Sequence, residues 1–92
     1  MTALPLPPGS TLGILGGGQL GRMLALAAAR LGLDVAVLER DADSPAGQVS
    51  NHTIVGAYDD PAALEKLAAV ARVVTFEFEN VPAQSVLTLQ KL

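Results

Sequence analysis

The sequence has 92 residues, half of them hydrophobic, and a formal net charge of -3, which is enough chain for one domain with a core and too little for two. Six Lys and Arg in total, with no basic patch and no interleaved aromatic residues, argue against a nucleic-acid surface. No cysteine and one histidine exclude a disulfide framework and a Cys/His zinc site, and suit a reducing compartment.

Residues 1–10, MTALPLPPGS, lack a basic start and are broken by Pro5, Pro7 and Pro8, so they are not a signal peptide. They are expected to be a disordered or loosely docked lead-in to a domain at residues 11–92. No apolar run approaches the ~20 residues of a membrane span, and the longest apolar-rich stretch carries Arg22 and Arg30. A soluble protein is expected.

TLGILG (Thr11 to Gly16) is a short apolar run stopped by glycines, the form of a strand buried on both faces of a parallel sheet. From Gln19 to Leu31, Leu20, Met23, Leu24, Ala27, Ala28 and Leu31 recur at helical spacing, and Gly32 supplies a C-terminal stop. Met23 is assigned to the core. DVAVLE (Asp34 to Glu39) reads as the second strand, completing a βαβ unit with a right-handed crossover.

RDADSPAGQVSN (Arg40 to Asn51) is a polar loop punctuated by Pro45 and Gly47, with room for one short helical turn. HTIVG (His52 to Gly56) is a weaker third strand. Asp60 followed by Pro61 marks a helix start, and the helix Pro61 to Ala71 carries an inner stripe of Leu64, Leu67, Ala68 and Ala71. RVVTFEFE (Arg72 to Glu79) is the fourth strand, and Pro82 opens a third helix in which Val86, Leu87 and Leu89 can pack. The order βαβ, β, α, β, α predicts an α/β, Rossmann-like half with a four-stranded parallel sheet in order 3-2-1-4. The chain stops where a further strand is expected, as in an excerpt of a longer protein.

Gly16, Gly18 and Gly21 satisfy G-x-G-x-x-G, and a turn from a buried strand straight into a helix leaves backbone N–H groups at a positive helix end. A polar ligand or an anion suits that position, with the amide of Gln19 able to donate and accept. A plain turn is the competing explanation, and the spacing alone is weak evidence for any one ligand. Glu39 lies at the end of the second strand, where a dinucleotide-binding domain places the acid that holds a ribose 2′-OH. It reads equally well as a solvated acid paired with Arg40 or Arg22. These features alone favour NAD.

TFEFEN (Thr75 to Asn80) points elsewhere. Alternation puts Thr75, Glu77 and Glu79 on one side of the strand and Phe76 and Phe78 on the other, with the phenylalanines expected to anchor the strand end. Two carboxylates at the C-terminal edge of the sheet would repel a pyrophosphate by about 1 kcal/mol or more per close pair, and they suit a sugar diol or an amine. An exposed acidic strand end is the alternative. The pair lacks the further ligands of a metal site. His52 is given no role, and Asp59 and Asp60 serve turn and cap.

Together GILGGGQLGRMLALAA, DADSPAGQVS and VVTFEFENVP resemble the N-terminal domain of the N5-carboxyaminoimidazole ribonucleotide synthetases, ATP-grasp ligases of purine biosynthesis formerly described as the ATPase subunit of phosphoribosylaminoimidazole carboxylase. The resemblance runs from about Thr11 to Leu92. It implies that ATP activates bicarbonate by way of carboxyphosphate and that the exocyclic amine of 5-aminoimidazole ribonucleotide is carboxylated. ATP and Mg2+ would be bound by domains absent from these residues, in a cytoplasmic enzyme that is usually a homodimer. Gly18, Gln19 and Leu20 would contact the ribonucleotide, and Glu77 would accept from its ribose hydroxyls. Only the resemblance ranks Glu77 first; Glu79 and Glu39 are secondary candidates. No catalytic residue is expected in this fragment. Family members often carry an aspartate shortly after the Gln-Val segment, where this chain has Ser50, Asn51 and His52.

Overall fold

Two apolar strands, β1 (Thr11–Leu15) and β2 (Asp34–Glu39), form the middle of a four-stranded parallel sheet. In the computed structural model, which describes residues 7–76 and 83–91, β3 (His52–Val55) adds beside β2 and β4 (Val73–Phe76) beside β1. The order is β3-β2-β1-β4, as the sequence predicts. The helices are α1 (Gln19–Arg30), α2 (Pro61–Val70) and α3 (Ala83–Lys91).

Strand alternation divides the core in two. Ile14, Val35 and Val37 point to one face and pack with Ala25 and Ala28 of α1, while Leu15, Ala36 and Leu38 point to the other and pack with Ala63, Leu64 and Leu67 of α2. This is why the two central strands read as continuous apolar runs: each face has its own helix to bury against. Gly13, on the α2 face, allows the close approach there, since a Cβ at that position would lie 2.8 Å from the Ala71 Cβ.

α1 departs from expectation in which face it buries. Gly21, Ala25 and Ala28 point inward, Leu24 is half-buried, and Ala27 is exposed. Met23 is 64% exposed, Leu20 51% and Leu31 71%, so Met23 is not core. The helix carries two apolar stripes, one of small residues and one of large, and periodicity alone does not say which faces the sheet. The small stripe wins because it lets the helix approach closely and adds interdigitating contacts. α1 ends in a Schellman turn, with Leu33 N–H donating to Ala28 O and Gly32 N–H to Ala29 O, both at 3.0 Å, and with Gly32 at φ +79.

α2 begins as the Asp-Pro pair predicts, the Asp60 carboxylate accepting from Ala62 N–H at 3.1 Å. Leu64 and Leu67 are fully buried, whereas Ala68 and Ala71 are half-buried. On α3, Leu89 packs against the α2-side cluster and Leu87 is exposed; the side chain of Val86 lies outside the described residues. At the start of the described chain, Gly9 N–H donates to Gly32 O and Ser10 O accepts from Asp34 N–H, so residues 9 and 10 dock on the turn between α1 and β2.

The reassigned core gives a direct contrast. Leu64→Ala should cost about 2–5 kcal/mol in a urea unfolding titration, and Met23→Ala under about 0.5 kcal/mol. Comparable losses for both would return Met23 to the core.

Candidate functional site

The glycine loop leaves the C-terminal end of β1 and enters α1 within three residues, Gly16 to Gly18. Gly16 adopts φ +105, a conformation that side chains disfavour, and its N–H donates to Leu38 O at 3.0 Å. Gly17 is buried, and a Cβ there would meet Ser44 Oγ at 2.5 Å, Ser44 Cβ at 2.7 Å and Glu39 Cγ at 2.9 Å. The middle glycine is therefore required by contact with two other segments, beyond the needs of a turn. Gly18 is the N-cap of α1, and its carbonyl accepts from Arg22 N–H at 2.9 Å.

The segment packed against this loop is the one read as a polar loop. Ser44 is buried and its hydroxyl accepts from Gly47 N–H at 3.1 Å, while Ala46 N–H donates to Gly17 O at 2.9 Å. Ala46 is fully buried in the α1-side core. A short 3-10 turn, Gly47–Val49, follows. Asn51 then pins the end of the loop to β2, its Oδ1 accepting from Val35 N–H at 2.9 Å and its own N–H donating to Val35 O at 3.0 Å.

Glu39 is hydrogen-bonded within the protein. Its Oε2 accepts from Gly17 N–H at 2.5 Å, and its Oε1 accepts from the Tyr58 hydroxyl at 2.7 Å and from Arg40 N–H at 2.8 Å. The Arg40 guanidinium lies over Tyr58, its carbon 5.3 Å from the ring centroid. Burial alone would raise the Glu39 carboxyl, but donation by Tyr58 and by the backbone amides of Gly17, Arg40 and Asp41 outweighs it and holds the group below its ordinary 4.5.

Gly18, Gln19 and Leu20 stand together at the opening of α1, Gln19 and Leu20 exposed. Glu77 and Glu79 lie outside the described residues, as does Phe78. β4 is described as far as Phe76, which pairs with Leu15, the residue before the glycines. Phe76 is 43% exposed on this outer strand rather than buried as an anchor; it lines a cleft of 340 Å³ of mixed polarity with Ala68, Ala71, Arg72, Val74, Leu89 and Gln90. No glycine-loop residue lines that cleft. Sequence reasoning missed Ser44, Ala46 and Tyr58, which shape the loop; Ser-Pro before Ala-Gly was a signal of turn chemistry and nothing more.

A short glycine loop closed by an internal carboxylate thus lies at the C-terminal edge of a 3-2-1-4 sheet. Residues 10–92 match the ribonucleotide synthetase preATP-grasp domain, and the chain belongs to that family. It is 60% identical over 85 residues to the N5-carboxyaminoimidazole ribonucleotide synthase of Brucella melitensis, a match covering 92% of this chain and 24% of that protein. The fold matches a synthetase of the same name, solved as an ADP complex, with a TM-score of 0.92 and 47% identity over 98% of this chain and 24% of the other. The Aspergillus clavatus synthase, solved with ADP and 5-aminoimidazole ribonucleotide, matches with a TM-score of 0.78 and 40% identity over 90% of this chain and 22% of its own. The chain thus spans about a quarter of the length of such relatives.

The Glu39 environment makes stability depend on pH with a fixed sign. A carboxyl held below its unfolded value stabilises the fold fully above that value, and the contribution disappears as pH falls through the folded value. Between about pH 6 and about pH 3 the parent should therefore lose more unfolding free energy than Glu39→Gln. Parallel acid limbs in urea titrations would contradict the hydrogen-bonded, ionised Glu39.

Proposed function

We propose that this chain is the ribonucleotide-binding N-terminal domain of an ATP-grasp ligase that carboxylates 5-aminoimidazole ribonucleotide with bicarbonate and ATP, giving N5-carboxyaminoimidazole ribonucleotide, ADP and phosphate. The observation that carries this reading is the loop itself. Its Gly17 amide is occupied by the protein's own carboxylate, and Gln19 and Leu20 are exposed beside it at the opening of α1. Such an edge suits the neutral, hydroxyl-bearing part of a nucleotide better than a pyrophosphate. The names of the relatives support the choice of ligand.

In this reading Gln19 contributes an amide that both donates and accepts, and Glu77 accepts from the ribose hydroxyls as an ionised carboxylate. Their work is to bind and orient the ribonucleotide so that its exocyclic amine faces the groups that carry out the transfer. ATP supplies the phosphoryl group that activates bicarbonate. ATP and Mg2+ are assigned to the other domains of the ligase. The whole enzyme is read as a cytoplasmic homodimer without nucleic-acid or membrane partners. No described helix is long and apolar enough to cross a membrane.

A dinucleotide-binding oxidoreductase domain would need the acid at the end of β2 to reach a ribose hydroxyl and the loop amides to face a pyrophosphate. Glu39 instead faces inward to Gly17 and Tyr58. In the ligase carrying this domain, Glu77→Ala should raise KM for the aminoimidazole ribonucleotide and leave KM for ATP nearly unchanged, a binding loss of about 1.5–3 kcal/mol. Equal increases for both substrates would remove Glu77 from the ribose role.

A further inference from the structure

Glu39 sits where three segments converge, and each gives its carboxylate a proton donor: Gly17 N–H from the glycine loop, Arg40 N–H from its own strand end, and the Tyr58 hydroxyl from the turn before α2. The contacts continue outward. The Tyr58 carbonyl accepts from the Ser85 hydroxyl of α3, whose residue is fully buried, and the far side of Gly17 is held through its carbonyl by Ala46 N–H. Gly17 has no space for a side chain between Ser44 and Glu39.

Glycine loops that open a helix attract anions, because their amides and the helix dipole present positive charge. α1 has no acidic residue in its first turn to meet that charge, and the group that meets it at Gly17 comes from β2. We propose that Glu39 is a positioning and specificity residue, a built-in anion whose carboxylate fixes the glycine loop and denies the Gly17 amide to a phosphate group. The loop is thereby shaped for the uncharged part of a nucleotide and closed to a diphosphate. The depressed titration of Glu39 keeps the internal anion charged across the neutral range. The identity of the ligand favoured by this arrangement rests on the ribonucleotide reading above, whereas the substitution of an internal anion for an external one does not.

The test uses the whole ligase with ADP saturating its nucleotide site and inorganic pyrophosphate as the probe, read through the Gly17 amide resonance. In the parent that resonance should not respond to pyrophosphate. Glu39→Ala should gain a saturable response, with KM for the ribonucleotide raised about tenfold and KM for ATP changed by less than about twofold. Tyr58→Phe keeps the carboxylate and removes one donor, so it should still exclude pyrophosphate. Should Glu39→Ala not fold, Glu39→Gln takes its place, because it preserves size and removes the charge, and it too should gain the response. A pyrophosphate response in the parent, or none in the charge-removed variant, would overturn the proposal. Should Glu77→Ala leave the ribonucleotide KM unchanged while the charge-removed Glu39 variant gains the pyrophosphate response, the ligand assignment fails and the internal anion stands.

Discussion

The hydrogen bond from Gly17 to Glu39 sets the geometry on which the rest of the site depends. It joins the end of β2 to the turn that follows β1, and those strands already run side by side in register from Thr11 opposite Asp34 to Leu15 opposite Leu38. The chain leaving β1 must therefore turn over the end of β2, and Gly16, with its positive φ, makes the bend. Ser44 closes the space below, leaving no room for a Cβ at Gly17. α1 begins at a position set by these contacts, and it needs small residues on its inner face to lie so close to the sheet.

Electrostatics follow from the same contact. The opening of a helix carries partial positive charge on unpaired amides, and many glycine loops leave that charge for a ligand's phosphate. Here a side chain from the neighbouring strand meets part of it, and several donors keep that side chain ionised despite burial. A carboxylate already bonded to backbone amides and a phenol has little capacity left for a ribose. In the proposed function the ligand meets the exposed residues at the start of α1.

Much of the fold was legible in the sequence because each face of the sheet has its own helix. The apolar runs of β1 and β2, the Asp-Pro start of α2 and the Gly32 stop of α1 each depend on local chemistry, and each is found where that chemistry puts it. The orientation of α1 was not legible, since Met23 and Ala25 are both apolar and only three-dimensional packing decides that the smaller one turns inward. The role of Glu39 was legible in position but not in partner. Spacing placed an acid at the end of β2, yet nothing in the local sequence says that Tyr58, 19 residues later, would turn it toward the loop. Ser44 and Ala46 were hidden for the same reason: their importance comes from a segment far away in the chain.

The central claim is that the C-terminal edge of this sheet holds the ribonucleotide, with the glycine loop closed from inside. The most direct measurement is a crystal structure of the whole ligase with 5-aminoimidazole ribonucleotide bound. The account predicts the ribose against Gly18 and Gln19, with Glu39 still bonded to the Gly17 amide. A ribonucleotide bound away from this loop, or a phosphate group seated on Gly17 with Glu39 displaced, would contradict it.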